Sequence, residues 1–206
     1  MPALIIITTA LIAAPLIFFF GLWHLAASYA PPPPASLLHN KRIILLIAHP
    51  DDESMFFAPT VQALTAPHLQ NHVKILCLST GNADGLGDTR RRELEAAALT
   101  LGVRRREDIF VLDDETRFRD GMHEQWSSDQ IARVLALYTL TTINTVRKYS
   151  SIIDNEKAIF VSDMQQYLKA REAMVHGHKS QMVWFRWGWI SLGRYMLVND
   201  LARQSF

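Results

Sequence analysis

The chain has 206 residues, enough for one modest domain and an appendage, and its formal net charge is +1. A charge so close to zero argues against a nucleic-acid-binding protein, which would normally carry a strong excess of basic residues. Cys77 is the only cysteine, so the chain can form neither an internal disulfide nor a thiolate zinc cluster.

The first forty residues are physically unlike the rest of the chain, because they contain no Asp, Glu, Lys or Arg. Ala3–Ala30 is an uncharged run longer than the ~20 residues that cross a bilayer as a helix. Trp23 and Tyr29 lie towards one end, where interfacial aromatic residues are common. A cleaved signal peptide would have a shorter apolar core after a basic region, and a buried core helix usually has a polar face. We therefore predict one N-terminal transmembrane helix.

The anchor is followed by Pro31–Pro34, which predicts an extended polyproline spacer that ends the helix. Residues 1–40 are thus predicted to be the membrane anchor and spacer, and residues 41–206 the globular domain. Lys41 and Arg42 are the first basic residues in the chain. Because basic residues flank membrane spans on the cytosolic side, they predict a cytosolic location for the C-terminal domain.

The globular part begins with an alternation of strands and a helix. Arg42–Ala48 and Val73–Leu78 are continuous apolar runs of strand length, which is typical of strands buried on both faces of a parallel sheet. Arg90–Leu101 has helical periodicity and ends at Gly102, and Ile109–Leu112 is a third short strand. The pattern predicts an α/β fold with a parallel sheet flanked by helices.

A polar cluster follows each of the three predicted strands. The clusters are HPDDE at 49–53, STGNADG at 79–85 and DDE at 113–115. Ligands bind at the carboxyl ends of the strands in such sheets, so we expect the three clusters to form one crevice. Any one of them alone would be interpreted as an ordinary surface loop.

The HPDDE cluster carries the most specific chemistry. His49 and Asp52 are three residues apart on a turn leaving a strand, where together they could bind a small cation. Asp51 between them would point elsewhere and remain free as a base for a water molecule. A solvated acidic turn is the alternative, and the pentapeptide alone leaves both open.

Five stretches of the sequence resemble, in order, a known family. The first three are IAHPDDE, LSTGNADGLGDTRRREL and DDETRFRDGMHEQW, and the last two are RKYSSIID and HKSQMVWFRWGWISLGRYMLVNDL. The first three resemble motifs of the LmbE-like de-N-acetylases, which include the phosphatidylinositol-glycan deacetylases. The last two resemble the C-terminal region of the branch that acts on lipids. Together they cover most of residues 42–201.

The resemblance implies a Rossmann-like fold and zinc-assisted removal of an N-acetyl group from a glucosamine headgroup. By position in the motifs, His49 and Asp52 would bind the metal, and Asp51 would be the general base. Arg90 and Asp120 match positions that contact the sugar in relatives. The substrate would be the glycolipid N-acetylglucosaminyl-phosphatidylinositol, an intermediate of glycosylphosphatidylinositol assembly. The location would be the endoplasmic reticulum membrane.

One segment of the family pattern is missing from this chain. Relatives carry an H-x-x-H motif whose second histidine completes the metal site, and no such motif is present here. Residues 122–176 contain neither Gly nor Pro, although helix-like and strand-like stretches meet there without a turn signal. We therefore predict an internal deletion near Val134–Ala136. His123, His176 and His178 are the possible substitute ligands, and a catalytically inactive membrane-anchored isoform is the alternative function.

The C-terminal stretch Trp184–Tyr195 is rich in aromatic residues interleaved with Arg186 and Arg194. This composition suits a helix at a membrane interface. It also suits a terminal helix packed on the sheet, with Phe185 and Trp189 among its buried residues. The sequence leaves both interpretations open.

Overall fold

The structure is a computed structural model, and it describes residues 2–29, 38–134, 139–140 and 158–202. The element order is a long N-terminal helix, an α/β unit with three parallel strands, and a C-terminal unit with three antiparallel strands.

The N-terminal helix α1 spans Pro2–Tyr29, with Pro15 inside it. The predicted transmembrane anchor is not found: across the described ranges, no helix is both long and apolar enough to cross a membrane. The C-terminal end of α1 packs on the globular part instead. The Trp23 indole is 3% exposed and donates a hydrogen bond of 2.9 Å to the carbonyl of Ser162. Its ring meets Tyr167 edge to face.

The first sheet contains β1 (Arg42–Ile47), β2 (His72–Cys77) and β3 (Ile109–Val111), in the order β1-β2-β3. Both pairs are parallel, as the apolar runs predict. The prediction that both faces are buried is wrong for β1, because Ile44 is 41% exposed. In the described part of the chain β1 is also an edge strand, so one of its hydrogen-bonding sides has no neighbouring strand.

Helices connect these strands. α2 (Asp52–Met55) and α3 (Ala58–Leu64) lie between β1 and β2, and α4 (Gly87–Leu101) lies between β2 and β3. α4 ends as predicted at Gly102, whose φ of 108° is a conformation that favours glycine. The apolar face of α4 is fully buried; it comprises Leu94, Ala97, Ala98 and Leu101. The parallel α/β architecture is thus confirmed.

The second sheet is antiparallel and has the order β4-β6-β5. Its strands are β4 (Thr139–Leu140), β5 (Ala158–Val161) and β6 (Val198–Ala202). α5 (Ser128–Val134) precedes it and ends at Val134, the first residue of the predicted deletion point near Val134–Ala136. Residues 135–138 and 141–157 lie outside the described residues.

Two further helices lie between β5 and β6. α6 (Met164–Glu172) starts at a capping box in which Asp163 and Gln166 satisfy each other's backbone N–H groups. It continues through a π-helical turn, Ala173–Gly177. α7 (Trp184–Leu192) follows, and its Ile190 is fully buried. Short 3₁₀ turns occur at Pro67–Leu69, Asn82–Asp84, Arg106–Asp108, Lys179–Gln181 and Arg194–Met196.

The π-helical turn after α6 packs very closely against α4. A Cβ atom added at Gly177 would lie 2.8 Å from the Ala97 Cβ and 3.0 Å from its Cα. The absence of a side chain at Gly177 therefore sets how near the C-terminal unit comes to α4.

We expect Gly177→Ala to lower the free energy of unfolding by about 1–3 kcal/mol, because the added methyl group forces two packed backbones apart. Gly188→Ala in α7 is the matched control, since a Cβ there meets nothing within 4 Å. It should stabilise the helix slightly, by up to about 1 kcal/mol. Chemical denaturation of both variants tests this, and equal effects would contradict the proposed packing.

Candidate active site

The site is built on the turn that leaves β1. Asp51 sits at the N-terminal cap of α2 with φ of 123°, a region that residues other than glycine rarely adopt. One carboxylate oxygen of Asp52 accepts the backbone N–H groups of Ala48 and His49, at 3.0 and 2.9 Å. The unusual backbone conformation of Asp51 costs about 1–3 kcal/mol of folding free energy. Such strain persists only where the surrounding structure imposes it, which is common at functional sites.

The Asp51 carboxylate is buried between two arginines. Arg90 lies 3.5 Å from its Oδ2, and the Arg186 guanidinium forms a hydrogen-bonded ion pair with the same oxygen. Asp51 therefore has two cationic partners, and its predicted role as a base stays a prediction. The positive φ turns its side chain towards the C-terminal helix α7, which contributes Arg186.

Arg90 links the first two polar clusters. It donates hydrogen bonds to the carbonyls of Gly81 at 2.7 Å and Pro50 at 3.2 Å, and it lies 3.4 Å from Asp120. Gly81 has φ of 68°, and a Cβ there would lie 2.2 Å from the arginine Nη1. Glycine is therefore required at position 81 for Arg90 to reach both carbonyls.

His49 lies on the other side of the same network. Its Nε2 is 3.2 Å from Asp120, and its ring is 5.3 Å from the Trp126 ring. Burial lowers the pKa of His49, and the charge of Arg90 adds to this effect, although Asp120 opposes it. A pocket of about 290 Å³ opens beside His49; it is lined by Ala48, His49, Arg119, Gly121, Glu124 and Trp126.

The third polar cluster reaches the same place. Asn82 donates a hydrogen bond of 3.2 Å to Glu115, and the Ala83 N–H lies 3.3 Å from an oxygen of Asp120. The three loops after β1, β2 and β3 thus meet at one edge of the sheet, as the sequence predicts. All five predicted site residues lie within this network: His49, Asp51, Asp52, Arg90 and Asp120.

The metal site is less well supported. In the part of the chain that the structure describes, no group of three His, Cys, Asp or Glu side chains is placed to hold a metal ion. A catalytic zinc takes three protein ligands and a water, so the described residues by themselves do not complete a zinc centre. The acidic groups nearest to His49 are already paired, Asp120 with Arg90 and Asp51 with both arginines.

Burial of the Asp52 carboxyl group raises the pKa of Asp52 to about 7, and the charge of Asp51 raises it further. The hydrogen bonds from the backbone of His49 and Ala48 oppose this shift.

His178 is excluded as a substitute metal ligand. It is fully buried, and its Nε2 lies 2.6 Å from the carboxylate of Glu53, which is also fully buried. Burial by itself would lower the pKa of His178, but the charge and hydrogen bond of Glu53 outweigh it and raise the pKa. The same pair holds the pKa of Glu53 below its usual value. His123 and His176, the other two candidates, are exposed.

Sequence reasoning missed three residues of this arrangement. Glu53 was treated only as part of an acidic run, yet it accepts hydrogen bonds from the Asp51 N–H and the Ser54 hydroxyl. Arg186 lies in a stretch that suits either a membrane interface or a packed helix, and Trp126 has no predicted role. Most of these contacts join residues that are far apart in the chain, and a single sequence contains no signal for such contacts.

Comparisons with known proteins show which family the chain belongs to. The family model described as GlcNAc-PI de-N-acetylase (PIG-L) matches residues 44–167. The chain belongs to this family. It is 33% identical to the N-acetylglucosaminyl-phosphatidylinositol de-N-acetylase of Arthroderma benhamiae, over 76% of this chain and 85% of that protein. It is also 33% identical to a probable enzyme of the same name from Schizosaccharomyces pombe, over 76% and 84% of the two chains.

The PIG-L family is a family of deacetylases, and its α/β fold with a parallel sheet is the one observed here. Among solved structures, an N,N'-diacetylchitobiose deacetylase from Pyrococcus horikoshii aligns with a TM-score of 0.37 and 18% identity. That alignment covers 59% of this chain and 43% of the other, a likeness too weak to bear on function.

The alignment with the Arthroderma benhamiae protein also bears on the length of the chain. It extends over 284 positions, which exceeds the 206 residues of this protein. The relative therefore has residues inside the matched region to which nothing in this chain corresponds.

We expect the purified protein to retain substoichiometric zinc after dialysis, because two protein ligands bind zinc far less well than three. Metal content measured by mass spectrometry checks this, with His49→Ala as the comparison. One zinc per chain that is lost in His49→Ala would show that a third ligand completes the site.

We expect Glu53→Gln and His178→Ala each to lower the free energy of unfolding by about 3–5 kcal/mol, because each leaves one buried group without its partner. Since the folded-state pKa of His178 is raised above 6.5, its stabilisation is fully present below that pH and is lost as pH rises through the folded value.

Urea unfolding at a series of pH values from 6 upwards measures both the loss of stability in the variants and the pH dependence of the wild type. His123→Ala, which removes an exposed imidazole, is the control and should change little. A wild-type stability that rises with pH through this range would contradict the charged pair.

Proposed function

We propose that this protein catalyses hydrolytic de-N-acetylation of N-acetylglucosaminyl-phosphatidylinositol in the biosynthesis of glycosylphosphatidylinositol anchors. The observation that carries the proposal is the network of His49, Asp51, Arg90 and Asp120 at the carboxyl ends of three parallel strands, beside an open pocket. The relatives whose alignments cover most of this chain are named for the same substrate, and this supports the proposal.

Each residue of the network suits one part of this reaction. Asp51 is the base that accepts a proton from the attacking water, and Arg90 positions it from 3.5 Å. Asp120 contacts His49, which lines the pocket, and its carboxylate is suited to bind sugar hydroxyl groups. Trp126 offers an aromatic face at the pocket wall against which a sugar ring could stack.

Zinc activation remains part of the proposal for the family reaction. His49 and Asp52 are the proposed ligands in this chain, and a third would have to come from outside the described residues. Those residues contain no His or Cys, although Asp154 and Glu156 are among them.

We further propose that the protein acts at the endoplasmic reticulum membrane with its globular domain on the cytosolic side. The forty uncharged residues that precede Lys41 and Arg42 are the sequence feature behind this proposal. A glycolipid substrate also favours a site close to a membrane surface.

A second function is favoured by two observations. The chain lacks a third metal ligand among the described residues, and Arg186 pairs with the proposed base. A catalytically inactive, membrane-associated isoform would fit both. The 284-position alignment supports a form of the protein with an additional internal segment.

An assay with N-acetylglucosaminyl-phosphatidylinositol in detergent micelles, with and without added zinc, decides between the two. For the enzyme, we expect turnover that falls by about 100-fold or more in Asp51→Asn, because that change removes the base. Asp129→Asn, which alters an exposed carboxylate on α5, is the control and should retain activity.

Absence of turnover from a protein with cooperative unfolding would instead support the inactive isoform. Sequencing the transcript across codons 130–140 then provides a direct check. Recovery of an in-frame insert that encodes an H-x-x-H motif would identify this chain as a shortened form of an active enzyme.

A further inference from the structure

The helix α7 has two unlike faces. Its inner face packs on the domain: Ile190 is fully buried, and the Trp189 ring stacks on Tyr195 and meets Phe56 edge to face. Its outer face exposes large apolar side chains. The exposed fractions are 85% for Trp184, 56% for Phe185, 45% for Trp187 and 50% for Leu192.

An apolar face of this size costs free energy in water, and such faces usually mark a binding surface. Its composition indicates what covers it. The exposed side chains are Trp, Phe and Leu, and the exposed Lys179 lies shortly before the helix. Tryptophan, phenylalanine and leucine on one face are typical of helices that lie in a membrane interface.

The same helix reaches the candidate active site. Arg186 lies between the exposed Phe185 and Trp187, but its guanidinium points inward, to the carboxylate of Asp51 and to the sulfur of Met55 at 3.1 Å. The side chain of Arg186 therefore links the helix that carries the exposed apolar face to Asp51, the proposed base.

Asp51 already has a second cation beside it, because Arg90 lies 3.5 Å from the same oxygen. Asp51 therefore keeps a cationic neighbour when Arg186 binds another anion, although Arg90 is also paired with Asp120 at 3.4 Å. A phosphodiester is an anion whose oxygens a guanidinium binds in a bidentate manner.

We propose that α7 is the lipid-binding element of the site: its outer face lies in the membrane interface, and Arg186 binds the phosphodiester of the glycolipid in place of Asp51. This inference rests on the proposed function, since the proposed substrate carries its sugar on a phosphodiester next to two acyl chains. When Arg186 moves to the phosphate, one oxygen of Asp51 is released beside Arg90.

Membrane contact by α7 can be measured separately from any contact by α1. Cys77 is fully buried and burial raises the pKa of its thiol, so a cysteine introduced at the surface is the reactive one. Trp187→Cys would carry an environment-sensitive fluorophore. Phe110→Cys on the edge strand β3, with a parent side chain that is 47% exposed, is the matched control.

On phosphatidylcholine vesicles containing phosphatidylinositol, we expect the label at 187 to shift to shorter wavelength and to be quenched by a lipid-borne quencher. The label at 110 should not change. If the protein floats with the vesicles but the emission of the label at 187 does not change, the proposal is wrong. It is also wrong if the emission changes with protein concentration in the absence of vesicles, because α7 would then contact a second copy of the protein.

The role of Arg186 is tested with the same vesicles. Arg186→Gln should weaken binding to phosphatidylinositol vesicles by about tenfold, the effect of losing one charge-assisted contact, and Arg186→Lys should restore part of it. Arg106→Gln is the control, because this exposed arginine precedes β3 and lies at the opposite edge of the sheet from the site. Unchanged binding by Arg186→Gln would overturn the phosphate role.

The de-N-acetylation assay on these variants separates the two hypotheses. If the vesicle experiments give the expected results but the wild type shows no turnover, α7 is a lipid-binding element and the proposed de-N-acetylase activity is rejected. Turnover with KM unchanged in Arg186→Gln would reject the role of Arg186 and leave the enzyme. If both hold, KM rises about tenfold in Arg186→Gln and falls again in Arg186→Lys.

Discussion

The buried pair of Glu53 and His178 is the interaction on which the rest of the site depends. It joins two segments 125 residues apart in the chain, the first turn after β1 and the region before α7. Glu53 also accepts the N–H of Asp51, and so helps to hold that residue at its unfavourable φ. Because an unpaired charge in this interior would be very costly, the two segments are held together as one unit.

The electrostatic layout of the site follows from this connection. With the C-terminal segment fixed, α7 brings Arg186 to the carboxylate of Asp51 from one side, while Arg90 on α4 approaches from the other. Arg90 in turn depends on Gly81, which has no side chain to obstruct it. The site therefore positions the Asp51 carboxylate with few side chains, which are carried on elements that pack on the same core.

The arrangement separates substrate recognition from metal-assisted chemistry. The residues suited to hold a sugar and a phosphate are together in the described structure, whereas a third zinc ligand is absent from it. Members of the PIG-L family are deacetylases, and the longer alignment with a relative indicates residues that this chain lacks. Recognition and hydrolysis can thus be tested as separate properties of this protein.

The sequence by itself determined the local structure and the family. Continuous apolar runs predicted β1, β2 and β3, and Gly102 predicted the end of α4, because strand burial and helix termination depend on residues close together in the chain. The HPDDE motif likewise located the site. Only the tertiary structure decided that Asp51 is paired with Arg186 and that Glu53 is paired with His178. Both pairs join residues more than 120 positions apart, and local periodicity carries no information about which distant side chains meet in a packed core.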